Sequence, residues 1–157
     1  MFTIGEKIVY PMHGAGVIET IEEKKILGES RRYYILKLSC SDIKIMIPVD
    51  TSNDIGVRGI VSEEKLSCVF EILHSKSSVM STNWNRRYRE NMEKLKTGEI
   101  EEVAEVVRDL TRCERDKKLS TGEKKMLINA NQILVSEIIL VKDIDQDAAT
   151  AIVDAAV

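Results

Sequence analysis

The chain has 157 residues, 43% hydrophobic and 31% charged, a balance that supports a folded core and excludes a disordered chain. No apolar run approaches the roughly 20 residues of a membrane span, and the opening residues lack the basic-then-apolar pattern of a signal peptide. The net charge is −3, whereas a protein that binds nucleic acid through bulk charge is basic. We therefore expect a soluble, cytoplasmic protein that could contact DNA only through a local basic patch.

The first part of the chain, residues 1–61, is predicted to form a β module. Period-two alternation and β-forming residues indicate strands at 7–10, 16–21, 31–38 and 43–49. Turn-forming residues separate these strands at 11–14, 27–29 and 39–42. Four or five short strands in so short a segment are typical of a small, strongly bent barrel or sheet.

From residue 62 onward, the apolar residues recur with the period of helices. Five amphipathic segments are predicted, at 62–73, 84–96, 100–110, 121–138 and 144–157. Ser62 and Asn83 are suitable N-caps, and Ser120 with Glu123 forms the S-x-x-E pattern of a capping box. The sequence thus predicts an α+β chain in which a helical domain of about five helices, residues 62–157, follows the β domain.

Most sequence patterns of enzymes and metal sites are missing. Three cysteines and two histidines lie far apart, without C-x-x-C spacing: Cys40, Cys68, Cys113, His13 and His74. There is neither a phosphate-binding loop nor a nucleophile elbow. We therefore predict that the protein is not an enzyme and uses no metal, cofactor or small-molecule substrate.

The most informative segment, residues 82–96, combines the only tryptophan with five basic and two acidic side chains. On a helix, Trp84, Tyr88, Met92 and Leu95 share one stripe, and this spacing favours the core face for the last three. Trp84 lies in the first turn. It can either close the hydrophobic seam or project past the bundle.

The basic residues around Trp84 suggest a DNA contact. Three arginines lie off the apolar stripe and are predicted to face solvent or phosphate: Arg86, Arg87 and Arg89. An exposed tryptophan between arginines can press on a base step from the minor groove while the arginines hold phosphates. The helix N-terminus at Asn83 would add N–H donors for a phosphate. On spacing alone, Lys124 and Lys125 are ordinary surface lysines, and a second phosphate contact is the alternative.

A different surface lies on the β module. Lys24 and Lys25 precede a turn, and Lys44 and Met46 share one face of a strand. An open sheet leaves an edge that can pair with a strand of another protein, or whose charges only prevent aggregation. The sequence favours neither of these two interpretations.

Three stretches together resemble the CarD/CdnL family of bacterial transcription regulators, over nearly the whole chain. They are GEKIVYPMHGAGVIETIE at 5–22, TNWNRRYRENMEKLKTGEIEEVAEVVRDL at 82–110 and LSTGEKKMLINANQILVSEI at 119–138. The β module also resembles the polymerase-interacting domain of the bacterial transcription-repair coupling factor, whose helicase parts are absent here.

The resemblance implies a Tudor-like N-terminal domain that binds the β subunit of bacterial RNA polymerase, and a helical domain that contacts promoter DNA at the upstream edge of the −10 element. It maps the family's wedge tryptophan onto Trp84. The DNA contacts of the family map onto Arg86, Arg87 and Arg89, and also onto Lys124 and Lys125. The polymerase contacts map onto Lys24 and onto Met46, where some relatives have arginine, and Lys44 is the neighbouring basic candidate.

The implied function is stabilisation of the promoter open complex by a tryptophan wedge. The alternative is a protein-interaction adaptor without direct DNA contact, which burial of Trp84 in the bundle would favour.

Overall fold

The computed structural model describes residues 1–157 and contains an antiparallel sheet followed by a helical bundle. The strands are β1 (Lys7–Tyr10), β2 (Gly14–Ile26), β3 (Glu29–Leu38), β4 (Lys44–Pro48) and β5 (Arg58–Gly59). The helices are α1 (Ser52–Ile55), α2 (Glu63–His74), α3 (Trp84–Lys96), α4 (Ile100–Asp116), α5 (Thr121–Lys142) and α6 (Gln146–Ala156). The predicted α+β architecture is confirmed, and none of the helices could span a membrane.

The sheet has the strand order β4-β3-β2-β1-β5, so that β4 and β5 are its edges. The β2–β3 hairpin is longer than predicted because its ladder continues to the pair Ile26 and Glu29. Leu27 and Gly28 form its tip with φ values of 52° and 83°, as in the two-residue turns that match strand twist. The two-residue strand β5 was not predicted, because two residues cannot display an alternation.

Each part of the molecule has its own core. Six buried residues fill the sheet core: Ile8, Ile18, Tyr34, Leu36, Ile47 and Val57. A larger cluster of 19 buried residues joins the helices. The prediction for the stripe on α3 is confirmed, since Leu95 is buried and Tyr88 and Met92 pack against this cluster.

The sheet lies directly on α5. The hydroxyl of Ser136 accepts a hydrogen bond from the backbone N–H of Ala15 at 2.8 Å, and the hydroxyl of Ser39 donates to the carbonyl of Ser136 at 2.8 Å. A Cβ atom at Gly14 would lie 2.8 Å from Ser136 Oγ, and its φ of +116° also favours glycine. These contacts join the sheet to the middle of α5.

Candidate nucleic-acid interface

Trp84 begins α3 and is 53% exposed, outside the helical core. The Asn83 side chain caps the helix by accepting hydrogen bonds from the N–H groups of Asn85 at 3.0 Å and Arg86 at 3.3 Å. The expectation of free N–H donors for a phosphate is therefore wrong for these two groups. Burial of Trp84 would have favoured the adaptor without DNA contact, but the indole is exposed.

Arg87 does not face solvent, contrary to the prediction. Its Nε and Nη2 groups donate to the two carboxylate oxygens of Glu123, both at 2.7 Å, and Glu123 is only 1% exposed. The Ser120 hydroxyl donates to the same carboxylate at 3.1 Å and accepts from the Glu123 N–H. Helical spacing could not reveal this partner, which lies 36 residues away. Arg87 thus ties α3 to α5.

This ion pair predicts an acid-sensitive part of the stability. The Arg87 hydrogen bond holds the pKa of the Glu123 carboxyl below its usual 4.5. Because the folded-state pKa is lowered, the stabilisation is complete above pH 4.5 and is lost as the pH falls through the lowered value. Urea unfolding at decreasing pH should therefore show a smaller loss of stability for Glu123→Gln than for the natural chain. Parallel curves through this range would contradict the assignment.

The other predicted basic residues remain at the surface beside Trp84. Arg86 pairs with Glu90 at 3.0 Å, and both side chains are largely exposed. Arg89, Lys124 and Lys125 are exposed and form no ion pair within 4 Å. Besides the Arg87–Glu123 pair, a Cβ atom at Gly122 would lie 3.7 Å from the Tyr88 ring, so the N-terminal parts of α3 and α5 are close together. The four exposed cations therefore lie on the N-terminal parts of α3 and α5, which meet at one end of the bundle.

Two further basic residues at this end were missed. Lys117 and Lys118 are exposed in the loop that enters α5 just before Ser120, and neither forms an ion pair. They lie in no amphipathic pattern, so the sequence offered only their proximity to the capping box as a signal.

Carboxylates of the chain neutralise most of the charge on α3. Four of its five cations have a partner within 4 Å, in the pairs Arg86–Glu90, Arg87–Glu123, Lys94–Glu105 and Lys96–Glu93. Only Arg89 has none. The segment that looked strongly basic in sequence is thus less so in the folded chain.

The residues predicted to contact polymerase share one side of the sheet, here called the outer face. Lys24, Met46 and Lys44 lie opposite three odd-numbered residues of β3, which share one side of the strand: Arg31, Ile35 and Lys37. Directly paired residues, and residues two apart on one strand, point to the same side of a sheet. Met46 is 42% exposed on the edge strand β4. Arg31, which pairs with Asp50 at 2.8 Å, is a member of this face that sequence reasoning missed.

Comparison with known proteins covers both parts of the chain. The model of the CarD-like/TRCF RID domain matches residues 2–61, and that of the CarD C-terminal domain matches residues 68–154. A relative described as "Putative transcription factor YdeB", from Bacillus subtilis (strain 168), is 44% identical over 146 residues, which span 93% of this chain and 95% of the relative. The chain with the exposed Trp84 and its surrounding cations belongs to the CarD-like family of transcription factors.

Proposed function

We propose that this chain stabilises the promoter open complex. In this proposal residues 1–61 bind the β subunit of bacterial RNA polymerase. Residues 62–157 contact promoter DNA at the upstream edge of the −10 element. The observation that carries the proposal is the 53% exposed indole of Trp84 at the end of the bundle, among exposed basic side chains.

The wedge acts by preferring one state of the DNA. Inserting a side chain into a base step costs a few kcal/mol of unstacking, and this cost is smallest where the duplex is already distorted beside the bubble. The Trp84 indole therefore binds the open state better than the closed one, and only such a difference in affinity can shift the equilibrium. A difference of about 1.4 kcal/mol changes the ratio of open to closed complexes tenfold.

Exposed cations bind the DNA phosphates around the Trp84 wedge. In the proposal, Arg86, Arg89, Lys124 and Lys125 contact phosphates, and Arg87 supports the site from within through Glu123. Sequence preference should be low, because the minor groove displays a degenerate pattern.

Attachment to polymerase compensates for weak binding to free DNA. The chain has a net charge of −3, and most cations of α3 are neutralised internally. Tethering can raise avidity by about 10²–10⁴ without any new contact. We assign this role to the outer face, with Lys24, Lys44 and Met46 as contacts, and the open edge of β4 offers backbone groups to a strand of the partner.

The experiment measures how long competitor-resistant open complexes persist on a linear promoter fragment. Adding the natural chain should lengthen their lifetime. Lys24→Glu should need a higher protein concentration for half of the effect, because it reverses a charge on the outer face. Titration against the isolated β-subunit lobe should show the same loss of affinity.

Lys25→Glu provides the matched control, since Lys25 is also exposed but points to the other side of the strand. An unchanged lifetime with the natural chain would contradict the function. Equal weakening by both variants would remove Lys24 from the specific contact.

A further inference from the structure

Helix α5 carries two buried glutamates that each bind an arginine of another element. Glu123 is 1% and Glu137 is 2% exposed. Glu123 accepts two hydrogen bonds from Arg87 of α3, and Glu137 accepts two from Arg58 of β5. At 1.5 Å and 100° per residue, the two glutamate positions lie about 21 Å apart along the helix and within about 40° around its axis. We call these contacts the α3 clamp and the β5 clamp.

The β5 clamp uses every donor of Arg58. Nη1 and Nη2 donate to the Glu137 carboxylate, both at 2.9 Å. Nε and Nη2 donate to the Gly98 carbonyl at 3.0 and 2.9 Å, and Nη1 also donates to the Gly59 carbonyl at 3.0 Å. The Glu137 carboxylate further accepts from the Val61 N–H at 2.9 Å. A guanidinium offers five N–H groups, so none remains unpaired.

The Gly98 contact extends the clamp to the helix that carries Trp84. Gly98 lies in the turn between α3 and α4 and has a φ of +74°. A Cβ atom there would lie 3.0 Å from the ring of Pro11, in the turn between β1 and β2. The turn that follows α3 is thus held by Arg58 and lies close to Pro11, and the N-terminal part of α3 is held by Arg87.

We propose that Arg58 is a positioning residue. Acting through Glu137 and the Gly98 carbonyl, it holds Trp84 at a fixed place relative to the outer face of the sheet. This inference rests on the proposed function, because a fixed distance matters only if Trp84 binds DNA while the outer face binds polymerase. A tethered group gains effective concentration at a second site only where the connection presents it, and a loose connection loses that gain.

An apolar replacement separates geometry from stability. Exchanging both members of a buried ion pair for apolar residues of similar volume is often neutral or stabilising. Arg58→Met/Glu137→Met should therefore fold while losing the hydrogen bonds that define one arrangement. The control is Lys96→Met/Glu93→Met, which removes an exposed ion pair within α3 and leaves the sheet–bundle contact intact.

The first measurement is the distance between spin labels on the sheet and on α3. Labels at Lys25→Cys and Asn85→Cys, both exposed positions, are introduced with the three natural cysteines replaced by alanine. Pulsed electron resonance should give a narrow distribution for the natural pair and for the control. The Arg58→Met/Glu137→Met variant should give a broadened or shifted distribution. An unchanged distribution would overturn the proposal.

The second measurement is the open-complex lifetime, compared with affinity for the isolated β-subunit lobe. The Arg58→Met/Glu137→Met variant should bind the isolated lobe as tightly as the natural chain does. Its effect on the open-complex lifetime should be weaker by about tenfold. A full effect on lifetime despite a broadened distribution would also overturn the proposal. If the double variant does not fold, Arg58→Lys serves instead, because it keeps the charge but cannot form the forked contact.

Trp84→Ala in the same assay separates the two ideas. If that variant keeps the full effect on lifetime, the proposed function is wrong, and the label distances alone decide whether Arg58 fixes the geometry. If Trp84→Ala loses the effect while the clamp variant keeps both distance and lifetime, only the inference about Arg58 fails.

Discussion

Trp84→Ala is expected to shorten the lifetime of open complexes on a linear promoter by about 5- to 150-fold relative to the natural chain. Truncating an aromatic side chain stacked on a base costs about 1–3 kcal/mol, and each 1.4 kcal/mol corresponds to about a factor of ten. The fold should survive, because the indole is 53% exposed and lies outside the helical core. The measurement is the decay of competitor-resistant complexes, together with a thermal melt that shows the variant to be folded.

Trp84→Phe is the matched control, since it keeps a smaller apolar ring and should give an intermediate lifetime. As Trp84 is the only tryptophan, its fluorescence also reports on the contact. The emission should be red-shifted and readily quenched in the free chain and should become protected on the complex. A natural lifetime for Trp84→Ala would refute the wedge.

Arg87→Ala is expected to destabilise the fold by about 3–5 kcal/mol, because it leaves the buried carboxylate of Glu123 without its partner. For a chain of this size, each kcal/mol lowers the melting temperature by roughly 2–4 °C. Arg86→Ala, at the adjacent position, removes only an exposed pair worth about 0.3–0.5 kcal/mol. Thermal melts followed by circular dichroism should therefore separate the two variants by about 10 °C.

For binding to DNA, Arg86→Ala should have the larger effect of the two variants. Losing a phosphate contact reduces the salt dependence of binding by about one unit of slope, and this loss is expected for Arg86→Ala on a promoter fork with polymerase. Arg87→Met/Glu123→Met should recover most of the stability lost in Arg87→Ala, since it leaves no buried charge. Equal melting temperatures for Arg86→Ala and Arg87→Ala would contradict the buried clamp.

Local patterns were sufficient to predict the elements of the fold. Period-two and helical spacing place most strands and all five helices of the bundle, and the three N-caps at Ser62, Asn83 and Ser120 are confirmed by hydrogen bonds. These features depend on residues a few positions apart. The stripe formed by Tyr88, Met92 and Leu95 was predictable for the same reason.

Long-range pairing could not be predicted in this way. The guanidinium of Arg87 could face either solvent or a carboxylate, and its partner Glu123 had already been interpreted as part of a capping box. Arg58 was not predicted to be a site residue, because β5 is only two residues long and the partner of Arg58 is 79 residues away. The exposure of Trp84 likewise depends on how α3 and α5 meet. The basic and aromatic residues were therefore recognised while their division into exposed contacts and buried supports was not.

The two clamps make the length of α5 a constraint on how this chain can diverge. One residue inserted between Glu123 and Glu137 would advance one carboxylate by about 1.5 Å and turn it by about 100°, away from its arginine. Neither arginine could reach the displaced glutamate unless the entire sheet or the entire helix α3 moved. Insertions and deletions among descendants of this sequence should accordingly accumulate at sites such as the exposed hairpin tip at Leu27 and spare the middle of α5.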